Sequence, residues 1–71
     1  MDDLRNKIRQ TLIDLRIEKG LTQTEIGKIV GKSKTAVASW EQGLSLPDPV
    51  TLKKLALFYG KTMNYMFGDE E

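Results

Sequence analysis

Between Thr22 and Gly43 two short runs of helical periodicity meet at a glycine. In TQTEIGKIVGKSKTAVASWEQG the apolar residues fall at Ile26, Ile29 and Val30 in the first run and at Val37 and Trp40 in the second. Thr22, with Glu25 three residues on, makes a capping box that opens the first helix at about Gln23. That helix reaches about Val30, where Gly31 can take the left-handed conformation that ends it. Ser33 caps a second helix that runs to about Gln42 and stops at Gly43. Gly27 costs about 1 kcal/mol inside a helix, so it is expected where the next helix approaches closely. Helices this short do not stand alone in water, so the flanking chain must supply a platform.

Both flanks do. From Asp3 to Lys19 the residues Leu4, Ile8, Leu12 and Leu15 fall on one helical stripe, with Ile13 and Ile17 beside it. Asp2 and Asp3 suit the positive N-terminal end of that helix, and Lys19 with Gly20 closes it. Downstream, Asp48 followed by Pro49 is a cap and first helical residue, predicting a helix over Pro49 to Tyr59. Its inner face carries Leu52, Leu55, Ala56 and Tyr59, and Gly60 ends it. Thr62 caps a last short helix carrying Met63, Met66 and Phe67, ended by Gly68. The expected fold is all-α, a compact five-helix bundle in a single domain spanning residues 1–71. Its central pair, at about residues 22–43, forms a helix-turn-helix, the arrangement that presents a second helix to a DNA groove.

Composition narrows the function. With no His and no Cys, the commonest acid–base, nucleophilic and metal-ligating groups are missing, so neither an enzyme nor a metal or cofactor site is expected. The absence of cysteine fits a cytosolic protein, the charged first residues do not resemble a signal peptide, and no apolar run approaches the length of a membrane span. The formal net charge of +1 hides a segregation: five of the ten acids sit at the extreme ends. Between Leu4 and Gly68 eleven basic residues face five acidic ones, a field that suits a polyanion.

At this point the chain resembles the Cro/repressor-like (XRE-type) helix-turn-helix regulators of temperate phages and bacteria. The landmarks are Leu15-Arg16, Gly20-Leu21-Thr22-Gln23, Gly27, Gly31, Val37 and Trp40-Glu41-Gln42-Gly43, followed by Pro47, Leu52, Leu55-Ala56, Gly60 and Thr62. Lys32 and Lys61 stand where the family commonly carries apolar residues. The resemblance implies a lambda-repressor-like bundle acting as a sequence-specific DNA-binding transcriptional regulator, a Cro-like repressor in the cytoplasm of a bacterial host.

The implied site lies on the second helix of the pair. Lys34 and Thr35, then Ala38 and Ser39 one turn on, are expected to read bases; otherwise they are an ordinary polar helix face. The resemblance places Gln23 on a phosphate at the start of the preceding helix, against a plain solvated role. Lys32, Ser33 and Gln42 are expected near phosphates, Ser33 also serving as a cap, while Lys28 contributes only to the field. Arg16 and Glu41 are implied to pair, locking the first helix to the end of the reading helix and aiming Arg16 outward at a phosphate. Trp40 could stack on a base, but its spacing with Val37 places it in the core. Tyr59 should be core as well, its hydroxyl reaching the surface.

Small groove-reading domains commonly bind as two-fold dimers, so a palindromic double-stranded DNA site and a homodimer are the expected partners. The candidate self-contact surface is Leu44 and Leu46 with Tyr65, Met66 and Phe67, although both leucines can also be read as core. A competing reading uses the scaffold as a protein-binding modulator or antirepressor. In it Leu57, Phe58 and nearby Met63 form an exposed apolar patch for a partner repressor.

Overall fold

The computed structural model describes residues 3–69, and every regular element among them is helical. In chain order these are α1 (Asp3–Glu18), α2 (Gln23–Val30), α3 (Lys34–Gln42), α4 (Pro49–Tyr59) and α5 (Met63–Met66). Their starts are set by local chemistry. Thr22 Oγ1 accepts the Glu25 N–H at 3.1 Å while Glu25 Oε1 accepts the Thr22 N–H at 2.8 Å, closing the expected capping box in both directions. Ser33 caps α3 through the Ala36 N–H at 3.1 Å, and Asp48 caps α4 through the Thr51 N–H at 2.7 Å. Thr62 caps α5 through the Tyr65 N–H at 3.0 Å. Asp3 occupies the first turn of α1; Asp2, Glu70 and Glu71 lie outside the described residues.

The core takes Ile8, Leu12 and Leu15 from α1, Ile26 and Val30 from α2, and Val37 and Trp40 from α3. From the C-terminal half come Leu52, Leu55, Ala56 and Tyr59 of α4 and Met66 of α5. α3 packs on α2 and α1, α2 also touches α4, and α5 closes against α1 and α4. Each large side chain so buried contributes about 1.5–3 kcal/mol, which supplies the platform that two short helices lack. Trp40 lies in the core, as its spacing with Val37 predicts.

Several positions depart from the sequence expectation. Leu4 is 52% exposed although it continues the α1 stripe, because it lies one turn before Ile8, where α1 has run past the core. Ile17, left open by its spacing, is exposed too. Met66, expected on a partner surface, is 0% exposed: α5 folds back against α1 and α4 and drives this side chain into the interior. Met63, Tyr65 and Phe67 pack partly buried against the same core. Thr51, in the first turn of α4, is a buried polar residue outside the expected apolar set.

Gly27 has a definite reason. A Cβ built there would lie 2.5 Å from the Lys32 carbonyl oxygen, and the Lys32 N–H donates to the Gly27 carbonyl at 2.7 Å. The close neighbour is therefore the backbone of the turn that leads into α3. This contact fixes how α3 leaves α2.

Candidate nucleic-acid interface

α3 has two unlike sides. Val37 and Trp40 point into the core, whereas Lys34, Thr35 and Gln42 are exposed and Ala38 and Ser39 are half-buried. Residues at positions 34, 35, 38, 39 and 42 share one helical face by their spacing. Lys32 and Ser33, in the turn before it, are also exposed. The expected base-reading residues are thus together on the outer side of one rod. Ser39 is partly engaged there, its Oγ lying 2.8 Å from Ser45 Oγ.

The inner side is held by a polar cluster. Glu41 takes Arg16 through two bonds, Nε to Oε2 at 2.7 Å and Nη2 to Oε1 at 3.0 Å. Arg16 Nη1 also donates to the Leu21 carbonyl at 2.9 Å, tying the start of the α2 region into the same knot. Gln23 Nε2 adds a bond to Glu41 Oε1 at 3.0 Å. One carboxylate, with its side chain 8% exposed, therefore joins α1, α2 and α3. Its hydrogen bonds raise the Arg16 pKa further above an already high value, against the opposing effect of burial. Tyr59 lies under this cluster. Burial raises its pKa to about 12, Arg16 pulling it down and Glu41 pushing it up.

The paired Arg16 and Glu41 match the sequence expectation, but the arginine is turned inward. Three of its five N–H groups are spent on Glu41 and Leu21, and its side chain is only 19% exposed. Arg16 is thus an internal clamp, with two N–H groups beyond those three bonds. Sequence reasoning also missed Arg9, whose Nη1 donates to the Glu41 carbonyl at 3.4 Å and whose Nε donates to Asn6 Oδ1 at 3.1 Å. A contact across 32 residues leaves no periodic signal in the sequence.

Lys32 Nζ sits 3.5 Å from Asp48 Oδ2 in an exposed pair. The Thr51 N–H bond and then Lys32 hold the Asp48 carboxyl below the usual carboxylate range. Beyond α3 the connection to α4 exposes Leu44 at 73% and Leu46 at 39%, which settles their reading against core. Beside Leu46, an apolar groove lined by Pro47, Pro49, Met63 and Phe67 reaches down to the core residues Ile8 and Leu52. At the other end of α4, Leu57 is exposed, while Phe58 is half-buried, edge-on to Tyr59 and covered by Lys19 Nζ at 5.4 Å.

Among the described residues no group of three His, Cys, Asp or Glu side chains is placed to hold a metal, and no helix is long and apolar enough to cross a membrane.

Comparison with known proteins places this geometry. A helix-turn-helix family model matches residues 12–66. The chain is 36% identical over 58 residues to the cryptic phage CTXphi transcriptional repressor RstR of Vibrio cholerae, covering 82% of this chain and 52% of that protein. It is 31% identical over 65 residues to the transcriptional activator BcrR of Enterococcus faecalis, covering 92% of this chain and 32% of BcrR. It is 35% identical over 60 residues to the ImmF control region 10 kDa protein of Bacillus phage phi105, covering 84% of this chain and 67% of that one. The chain thus spans about half of the first relative and a third of the second. No solved structure gives a significant match.

Proposed function

The chain belongs to the helix-turn-helix family of Cro/repressor-like phage and bacterial regulators, and from that premise we propose that it is a sequence-specific DNA-binding regulator laying α3 in the major groove. The observation that carries the reading is the division of α3 into a clamped inner side and an open outer one. The clamp fixes the rod, and the open side offers groups that suit base edges. Lys34 donates to guanine O6 or N7; Thr35 and Ser39 hydrogen-bond or touch a thymine methyl; Ala38 offers an apolar surface.

Phosphates flanking the groove are held by groups at helix starts. Gln23 keeps a second amide N–H after bonding Glu41, and the first N–H groups of α2 have no helical carbonyl to bond. Lys32, Ser33 and Gln42 bracket the groove on either side, and the two remaining N–H groups of Arg16 serve the backbone only secondarily. A few contacts from one copy bind weakly, so a second copy joins through Leu44, Leu46 and the groove beside them, and the pair reads a palindromic site with half-sites about one DNA turn apart. The protein acts as a cytoplasmic Cro-like repressor and carries out no catalytic step.

The test is selection of bound sequences from randomised duplexes, followed by salt titration on the winner. A palindromic site, with affinity falling linearly on a log–log salt plot, is the expected outcome. Lys34→Ala should relax the preference at one position per half-site at a cost of about 1–3 kcal/mol. The modulator reading predicts the reverse: tolerance of Lys34→Ala and loss of a partner repressor on Leu57→Ala or Phe58→Ala. The cover that Lys19 and Tyr59 give Phe58 weakens that reading, since Leu57 alone remains open.

A further inference from the structure

The turn that ends α3 does more than stop it. Gly43 takes φ 79°, a left-handed conformation that a side chain would strain, and the Leu44 N–H reaches back to the Ser39 carbonyl at 3.0 Å. This reversal returns the chain beside α3 and brings Ser45 Oγ to 2.8 Å from Ser39 Oγ. Ser39 is held twice by the residues that follow it, through its carbonyl and through its hydroxyl. Both serines are half-buried.

A serine hydroxyl has one proton and two acceptor lone pairs. When two such groups pair, one proton lies between the oxygens and the other is free to point away. If Ser45 donates, Ser39 turns its own proton outward; if Ser39 donates, it turns lone pairs outward. Its oxygen stays in place in both states. A helical serine without such a partner has another outlet, the carbonyl four residues back, which for Ser39 belongs to Thr35. In that state its proton is committed to the backbone and its oxygen can only accept from a base.

We infer that Ser45 is a positioning residue for base recognition, holding Ser39 Oγ at the outer face of α3 through the hydroxyl pair and letting that one oxygen answer either a donor or an acceptor on a base edge. This inference rests on the reading of α3 as the base-reading helix. Ser45 itself need not touch DNA. It sets what Ser39 can present.

The experiment is selection of bound duplexes with the wild-type chain, Ser45→Ala, Ser45→Thr, Ser39→Ala and the double alanine variant. Ser45→Ala should change base frequencies at one position per half-site, the same one changed by Ser39→Ala, and weaken binding to the wild-type site about three- to ten-fold. Ser45→Thr retains the hydroxyl and should restore both, and the double variant should be no worse than Ser39→Ala alone. In the DNA-free protein, the α–β proton couplings of Ser39 should report one rotamer in the wild type and Ser45→Thr, and an average in Ser45→Ala. Uniform loss of affinity with unchanged base frequencies would overturn the inference and make Ser45 a backbone contact. So would additive effects of the two alanine substitutions. Failure of the wild type to enrich any sequence would instead overturn the DNA reading beneath it, and is recognised before any variant is compared.

Discussion

The two connections that flank α3 open alike and end differently. Each begins with a glycine in the left-handed region, Gly31 at φ 75° and Gly43 at φ 79°. The first then closes within two residues: Lys32 bonds back to Gly27, Ser33 caps α3, and the turn's backbone rests on the bare Cα of Gly27. The second runs on through Leu44, Ser45 and Leu46 to the buried Pro47, with both leucines turned to solvent. One connection is spent on internal geometry, the other on surface. The first turn is held by its backbone against Gly27, whereas the second leaves two apolar side chains on the surface.

That contrast can be broken most severely at Gly27. Gly27→Val sets a branched side chain against the Lys32 carbonyl, and the expected loss is about 3 kcal/mol of unfolding free energy, read by denaturant titration. A valine accommodated at less than about 1 kcal/mol would mean that the first connection is as adaptable as the second.

Glu41→Ala comes next. It leaves Arg16 without its two carboxylate bonds and Gln23 without its acceptor, which should cost about 2 kcal/mol. DNA affinity should fall further than stability alone explains, because α3 loses its orientation relative to α2. An affinity unchanged at full folding would remove the clamp from the account.

On the other side, Leu44→Asp should change monomer stability by less than about 0.5 kcal/mol, since nothing buried is disturbed. It should nevertheless abolish the second copy's arrival, seen by weighing the protein–DNA complex in solution. A complex of unchanged mass would show that the exposed leucines serve something other than self-contact.

The smallest effect concerns pH. Folding holds the Asp48 carboxyl below its ordinary range, chiefly through the Thr51 N–H and then Lys32. The folded state therefore favours the ionised form. Its stabilisation is complete above the unfolded value of about 4 and is lost as pH falls through the lower folded value. The thermal midpoint should drop across that acid window in the wild type and drop less in Asp48→Asn, whose amide also caps a helix start.

What the sequence made legible was local. Thr22 with Glu25, Ser33, Asp48 with Pro49, and Thr62 each act within three residues, and each helix begins where they place it. Most core residues of α2, α3 and α4 follow from periodicity for the same reason, but Ile29 of α2 is exposed and Thr51 of α4 is buried. Met66 did not: whether a four-residue helix faces in or out depends on the helices it folds back on, and nothing within α5 records that. Leu4 failed in the opposite sense, since a stripe says which side faces the core but not where the core ends. Among site residues the face of α3 was readable from spacing. The links of Arg9 and Gln23 to Glu41 join distant parts of the chain, and Ser39 with Ser45 depends on a turn's path.

Trp40 is the chain's single tryptophan, and it is packed beneath α3 with its indole shielded from water. The molecule thus carries its own optical reporter, placed on the side of α3 opposite the proposed reading face. Emission that holds steady on adding DNA would mean that the helix docks as a preset rod, while a red shift would register the rod lifting from its bed.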